Sequence, residues 1–101
     1  MECRLRQNVI QRDWRNAIDK YYWYHGYRRR PEYVEMNLRT FDMLCVYVAK
    51  HYGEWTAVLE RKLKHRYSGS GAMIDVHEEI YFEGIKIYLN RTLEDEVMWV
   101  W

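Results

Sequence analysis

Asp75, His77 and Glu79 occupy every second position of one short segment. Side chains alternate between the two faces of a strand, so these three would share one side. Two carboxylates flanking an imidazole are ligand types that suit several divalent metals. A half-solvated strand asks for the same polar alternation, however, and no Cys or His partner stands at a diagnostic zinc spacing. No metal site and no cofactor is therefore assigned. Cys3 and Cys45 are too few and too far apart for a disulfide framework, and reduced thiols are expected. Cys45 falls on the apolar face of a helical segment, where an inert buried thiol is expected rather than a nucleophile. His25, His51 and His65 have no acid at a fixed spacing. Gly69-Ser70-Gly71 lacks the flanks of a nucleophile elbow, and there is no glycine-rich loop ending in Lys-Ser/Thr to cradle a phosphate. The chain reads as non-enzymatic.

Residue types suited to binding are far more prominent. Tyr21-Tyr22-Trp23-Tyr24-His25-Gly26-Tyr27-Arg28-Arg29-Arg30 sets five aromatics beside three arginines. Trp, Tyr and Arg dominate the energetically important positions of protein interfaces, and Trp23, Tyr24, Tyr27, Arg28, Arg29 and Arg30 are the candidate partner-binding residues. The plainer reading is that some of the rings pack inward and the rest cover a helix end. Val97-Met98-Trp99-Val100-Trp101 alternates, placing Trp99 and Trp101 on one strand face. At a sheet edge this segment would invite strand addition or self-association, so Trp99 and Trp101 join the candidates. A nucleic-acid alternative rests on Arg28, Arg29 and Arg30 together with Arg61, Lys62, Lys64 and Arg66, since cations neutralise phosphates and exposed rings stack on unpaired bases. That alternative gains if the two clusters share one side of the fold and loses if they do not.

The elements that must position these residues follow from periodicity. Ile10, Trp14, Ala17, Ile18 and Tyr21 line one face at 3.6 residues per turn, with Asn8 and Gln11 as a capping pair, Gly26 after the last turn and Pro31 blocking continuation. Tyr33–Met36 is a short strand. Asn37 or Thr40 caps a second helix through Leu38, Phe41, Leu44, Cys45, Val48 and Tyr52, which ends at Gly53. A third, basic helix is predicted from about Thr56 to Arg66, because Trp55, Leu59 and Leu63 share a face and Glu60–Lys64 is a favourable i,i+4 pair. Ser68-Gly69-Ser70-Gly71 has the composition of a flexible linker, a native loop tip or an engineered join. Beyond it the period becomes 2, with Ile74, Val76, Ile80 and Phe82, the Glu83-Gly84 turn, and Ile85, Ile87 and Leu89. With Val97–Trp101 these form an antiparallel meander. The prediction is one α+β domain over residues 1–101, with two or three helices packed on an antiparallel sheet of three to four strands.

The chain has 101 residues, 49% of them hydrophobic, with ten Tyr and five Trp and a net charge of +1. That composition excludes collagen-like, coiled-coil and wholly disordered classes. The near-neutral total hides two halves. Residues 1–67 carry 14 Lys/Arg against 8 Asp/Glu, and residues 68–101 carry 2 against 7. Opposite charges of this kind favour association between copies, or a basic face shown to an anionic partner. No apolar run approaches the ~20 residues that span a bilayer, and the basic start lacks a signal core, so a cytoplasmic protein without membrane contact is expected.

Arg30-Pro31-Glu32-Tyr33-Val34-Glu35-Met36-Asn37 followed by a helix to Gly53, and Phe82-Glu83-Gly84-Ile85-Lys86-Ile87-Tyr88 followed by Thr92-Leu93-Glu94-Asp95-Glu96, together resemble small accessory proteins of tailed phages. A similar order of elements occurs within part of the capsid-fold proteins of those phages. The likeness spans about half the chain, and the basic runs at Arg28–Arg30 and Arg61–Arg66 depart from it. It implies a viral origin, in the virion or the host cytoplasm, and no catalytic residues. The expected function is protein–protein binding, by self-association or to a host protein, as an assembly part or as an inhibitor of a host defence protein.

Overall fold

The computed structural model describes residues 1–51, 53 and 58–101. Strand β1 (Glu2–Arg4) leads through a single 3-10 turn at Gln7–Val9 into helix α1 (Ile10–His25). Strand β2 (Tyr33–Met36), helix α2 (Leu38–Lys50) and strands β3 (Leu59–Tyr67), β4 (Met73–Phe82), β5 (Ile85–Leu89) and β6 (Val97–Val100) follow. The class is α+β. The sheet has six strands in the order β1-β6-β2-β5-β4-β3, more than the three to four expected, and it is mixed, because β2 and β5 run parallel. The expected three-strand meander is also corrected. β4 and β5 form a hairpin, but β6 pairs with β1 and β2 rather than with β5.

The predicted third helix is a strand. Its segment from Leu59 to Arg66 lies in β3, paired antiparallel with β4 from Leu59↔Phe82 to Tyr67↔Met73. Thr56 and Trp55 fall outside the described residues, as does Tyr52 of the second helix. An i,i+4 spacing such as Leu59–Leu63 puts two residues on one face of a strand as well as of a helix, and the extended form sets Lys62 opposite Glu79 and Arg66 opposite Asp75. Ser68–Gly71, read as a linker, is the turn of this hairpin. Ser68 N donates to Ala72 O at 2.8 Å, Gly71 N to Ser68 O at 3.0 Å, and the two serine hydroxyls lie 2.8 Å apart.

Both helices cover one face of the sheet. Ile10, Trp14, Ala17 and Tyr21 of α1 and Phe41 and Leu44 of α2 are buried against Val34, Met36, Phe82, Ile85, Ile87, Met98 and Val100, with Ile18, Cys45 and Val48 packed at the margin. Trp14, fully buried, meets Phe82 edge-to-face at 4.8 Å, and its Nε1 donates to Glu83 Oε2 at 2.8 Å. Asn37, not Thr40, caps α2, accepting from Thr40 N at 2.8 Å. Its amide also donates to Leu93 O and Asp95 Oδ1, which ties the β5–β6 loop to the helix start. The expected Asn8–Gln11 cap of α1 is absent: the helix is entered through Val9 with no side-chain cap. Instead Arg6 clamps Asp13 in the first turn through its backbone N, Nε and Nη2, all within 3.0 Å.

That clamp carries a pH signature. Hydrogen bonds from the Arg6 side chain hold the Asp13 carboxyl below the ordinary carboxylate range against the opposing effect of burial. A depressed carboxyl contributes stability at and above its unfolded-state value and loses it as pH falls through the lower folded one. Asp13→Asn is expected to cost about 1–3 kcal/mol at neutral pH and to flatten the acid limb of stability, as read by urea melts at several pH values. An unchanged acid limb would show that other groups set it.

Candidate protein-binding surface

Alternation along the strands puts polar and aromatic residues on the face that the helices leave bare. On β2, Val34 and Met36 go inward while Tyr33 and Glu35 go outward, and on β5, Ile85 and Ile87 go inward while Lys86 and Tyr88 go outward. β6 buries Met98 and Val100 and turns Trp99 outward, with Trp101 following. The register Glu35↔Trp99 and Glu35↔Tyr88 sets one carboxylate between two rings. Around it the aromatics form a continuous row. Trp99 and Trp101 stack at 5.7 Å, Trp101 and Tyr33 at 6.2 Å, and Tyr33 meets Tyr88 edge-on at 4.9 Å. Lys86 Nζ lies 4.6 Å from the Tyr88 ring, and Lys62 Nζ 5.0 Å from the Tyr81 ring. At the far end of β5, Tyr33, Glu35, Tyr88, Leu89, Asn90, Arg91 and Thr92 line an open cleft of about 540 Å³. Asn90 Nδ2 donates to Glu35 Oε2 at 2.7 Å, while its Oδ1 accepts from Thr92 N and Oγ1. The loop therefore fixes the carboxylate.

Asp75, His77 and Glu79 do share this open face. His77 lies 3.7 Å from Asp75 and 3.4 Å from Glu79. Glu79 also accepts from the Tyr81 hydroxyl at 2.6 Å and sits 3.4 Å from Lys86 Nζ. The Tyr81 hydrogen bond, helped by those from His77 and Lys86, holds Glu79 down to about 2. Its acceptors are committed to these neighbours, and among the described residues no group of three His, Cys, Asp or Glu is arranged to hold a metal. Cys3 and Cys45 are free and half-buried, and burial pushes both thiols up, away from the nucleophilic thiolate.

The other candidates divide between two places. Trp23, Tyr24 and Tyr27 are 76%, 68% and 78% exposed, and Arg28, Arg29 and Arg30 are exposed. Only Tyr21 of the five-ring run is buried. Arg29 shares a depression with Tyr21, His25, Glu32, Tyr33 and Trp101, so the arginine loop and the terminal tryptophan meet at one end of the sheet, while Trp23 and Tyr24 do not line it. Arg61, Lys62, Lys64 and Arg66 lie on β3, not on a helix. Lys62, Lys64 and Arg66 alternate with Arg61, which points to the helix side, within 5.7 Å of the Phe41 ring and 3.5 Å from Glu78. These cations are spread over two faces of β3, which runs away from the end of the sheet where Arg28–Arg30 precede β2. Tyr33, Glu35, Tyr81, Lys86 and Tyr88 were not anticipated. Their signal is the outward half of each alternating strand.

Strand addition through Val97–Trp101, expected if that segment formed an edge, is closed off because β6 is interior. The true edges are β1, with three residues, and β3, with Arg61, Lys62, Lys64 and Arg66. Shortness and charge are both devices that discourage edge pairing. Among the described residues, from Leu63 to Glu78 the two strands of the β3–β4 hairpin pair only with each other. This arm exposes Leu63 (66%), Tyr67, Met73, Ile74 and Val76. No described helix is long and apolar enough to cross a membrane. Neither a family model, a curated protein nor a solved structure matches the chain.

Proposed function

We propose that the protein is a non-enzymatic assembly part that grips another protein with the β3–β4 arm, an accessory component of the kind its resemblance to small tailed-phage proteins implies. The arm carries this reading. A two-stranded ribbon alone in water is at best marginally stable, and this one continues past the last helix contact with its aliphatic side chains bare. α2 covers the hairpin as far as Arg61, which packs on Phe41, and Leu63 and Val76 beyond it are exposed and meet no described helix. A partner surface laid under these residues would supply the burial that the fold leaves out. Blunted edges favour contact through a face over contact through backbone pairing. The virion and the host cytoplasm are the compartments where such a part would work.

Lys62 and Glu79 face each other across the hairpin, so residues 63–78 can be replaced by an Asn-Gly turn. None of the residues removed belongs to the buried core, and the shortened chain is expected to fold. The full chain, immobilised against a lysate of the producing cells, is expected to retain a defined protein that the shortened chain does not. Arm amides should then exchange more slowly in the complex than in the free protein. Equal capture by both chains, or arm exchange unchanged by the captured protein, would rule the arm out.

A further inference from the structure

The cleft at the carboxyl ends of β2 and β5 holds a carboxylate whose hydrogen-bonding capacity the fold leaves mostly unused. Glu35 is half-buried and lines the cleft with Tyr33, Tyr88 and Arg91. An ionised carboxylate only accepts, at about four lone-pair sites, and among the described residues the Asn90 amide alone donates to it. By contrast, Glu79, on the same sheet face, is held by Tyr81, His77 and Lys86. Asn90 is itself fixed, by Thr92 on its side chain and through its backbone N–H to Met36 O at 2.8 Å. The carboxylate is therefore set in place before any ligand arrives. Arg91 lines the same cleft and is exposed, yet among the described residues neither it nor Glu35 has an ion pair within the chain.

A ligand that satisfies this cleft needs donors for Glu35, a flat surface for the rings and an anionic group for Arg91. Tyr88, beside Glu35 in the register, is 45% exposed and meets Tyr33 edge-on at 4.9 Å. Nucleobases stack on such rings and are told apart by hydrogen bonds along their Watson–Crick edges. Of the four bases, only guanine sets two donors, N1–H and the N2 amino group, side by side. Adenine and cytosine put an acceptor beside the amino donor, and uracil flanks its single N–H with two carbonyls. An acceptor-only group beside a ring thus selects guanine. We propose that the cleft binds a guanine nucleotide, with Glu35 accepting from N1–H and the N2 amino group, Tyr88 stacking on the base and Arg91 taking the phosphate. Arginine suits that last task because its guanidinium forms charge-assisted, paired bonds to phosphate oxygens. The cleft's volume of about 540 Å³ falls within the roughly 300–1,000 Å³ usual for small-ligand sites. None of these residues belongs to the arm, so the site does not rest on the arm's role.

The test is an NMR titration of the full chain with GMP, AMP and guanosine, following the Asn90 side-chain amide and the backbone amides of Tyr88 and Arg91. GMP is expected to shift these signals to saturation and to bind at least ~10-fold more tightly than AMP. Guanosine, without the phosphate, is expected to bind more weakly than GMP and with less dependence on salt. Glu35→Gln keeps an oxygen for the Asn90 amide but replaces the other acceptor by a donor, and is expected to lose the preference for GMP over AMP. Arg91→Ala, at an exposed position, is expected to lower GMP affinity to that of guanosine and leave guanosine unchanged. A single-stranded uridine-rich oligonucleotide with one guanine separates the two sources of the base. Binding at least ~10-fold tighter than GMP assigns guanine within a strand, and equal or weaker binding assigns the free nucleotide. GMP and the oligonucleotide both failing to shift the cleft signals at millimolar concentration, AMP binding as tightly as GMP, or a folded Glu35→Gln that keeps the wild-type preference would each overturn the proposal. The comparison of GMP with AMP needs no variant, so it stands even where a substitution prevents folding.

Discussion

Trp14→Ala is expected to destabilise the protein by about 3–5 kcal/mol, a large share of the roughly 5–15 kcal/mol typical of a domain. The indole is fully buried and sits where α1 crosses the β4–β5 hairpin, edge-on to Phe82. Its loss opens a cavity between the helix and two strands that the backbone cannot close without moving the hairpin. It also removes the donor to Glu83, and that acceptor sits at an unusual place. Glu83 opens the turn with φ 50°, followed by Gly84 at φ 77°, a conformation in which Asn would be more comfortable than Glu. Trp14→Phe keeps most of the packing and loses the hydrogen bond, so it is expected to cost less than Trp14→Ala. Thermal or urea unfolding of the two variants and of Glu83→Gln separates packing from the polar contact. Equal losses for Phe and Ala would assign the whole effect to the hydrogen bond.

Ending the chain after Glu96 is expected to abolish folding altogether, as seen by loss of far-ultraviolet circular dichroism and of cooperative melting. Val97–Val100 is an interior strand. Without it β1 has no partner, β2 loses one of its two, and the buried Met98 and Val100 leave the core. Truncating Met98 to Ala alone is worth about 2–5 kcal/mol, and with Val100 and the strand pairings the loss approaches the whole margin of a small domain. Removing Trp101 alone is far milder. It takes away the backbone bonds to Glu32 and Tyr33 and one ring of the open face. A cooperative transition in the chain ending at Glu96 would show that β6 is dispensable.

The contrast between the two halves explains what the sequence reveals. α1, β2 and α2 are readable from local periodicity, because Ile10, Trp14, Ala17 and Tyr21 fit one helical face and Pro31 separates that helix from the strand. Leu59, Leu63 and the Glu60–Lys64 pair fit both periods, and only the pairing of β3 with β4 decides between them. Sheet order is still less local. Nothing in Val97–Trp101 by itself says that it will insert between β1 and β2. Alternation does reveal that Trp99 and Trp101 share a face, but not that Tyr33, Glu35 and Tyr88 lie beside them. That depends on β2 lying between β5 and β6, a long-range fact. Composition makes Trp23, Tyr24, Tyr27 and Arg28–Arg30 stand out, since rings crowded at a helix end cannot all turn inward, but which of the rings stay exposed is set by the packing of Tyr21.

The position of β6 also sets an order of events during synthesis. β1 and β2 are complete once residue 36 has been made, yet the strand that joins them comes from residues 97–100. Until those residues have been made, the two early strands have no common neighbour, and the apolar faces of α1 and α2 have only part of a sheet to rest on. Pairings between such distant segments form slowly, because a long loop must close before any contact rewards it. The nascent chain thus carries an unfinished hydrophobic surface while residues 37–96 are added, a state prone to aggregation, and a chaperone that holds it until β6 arrives would raise its yield.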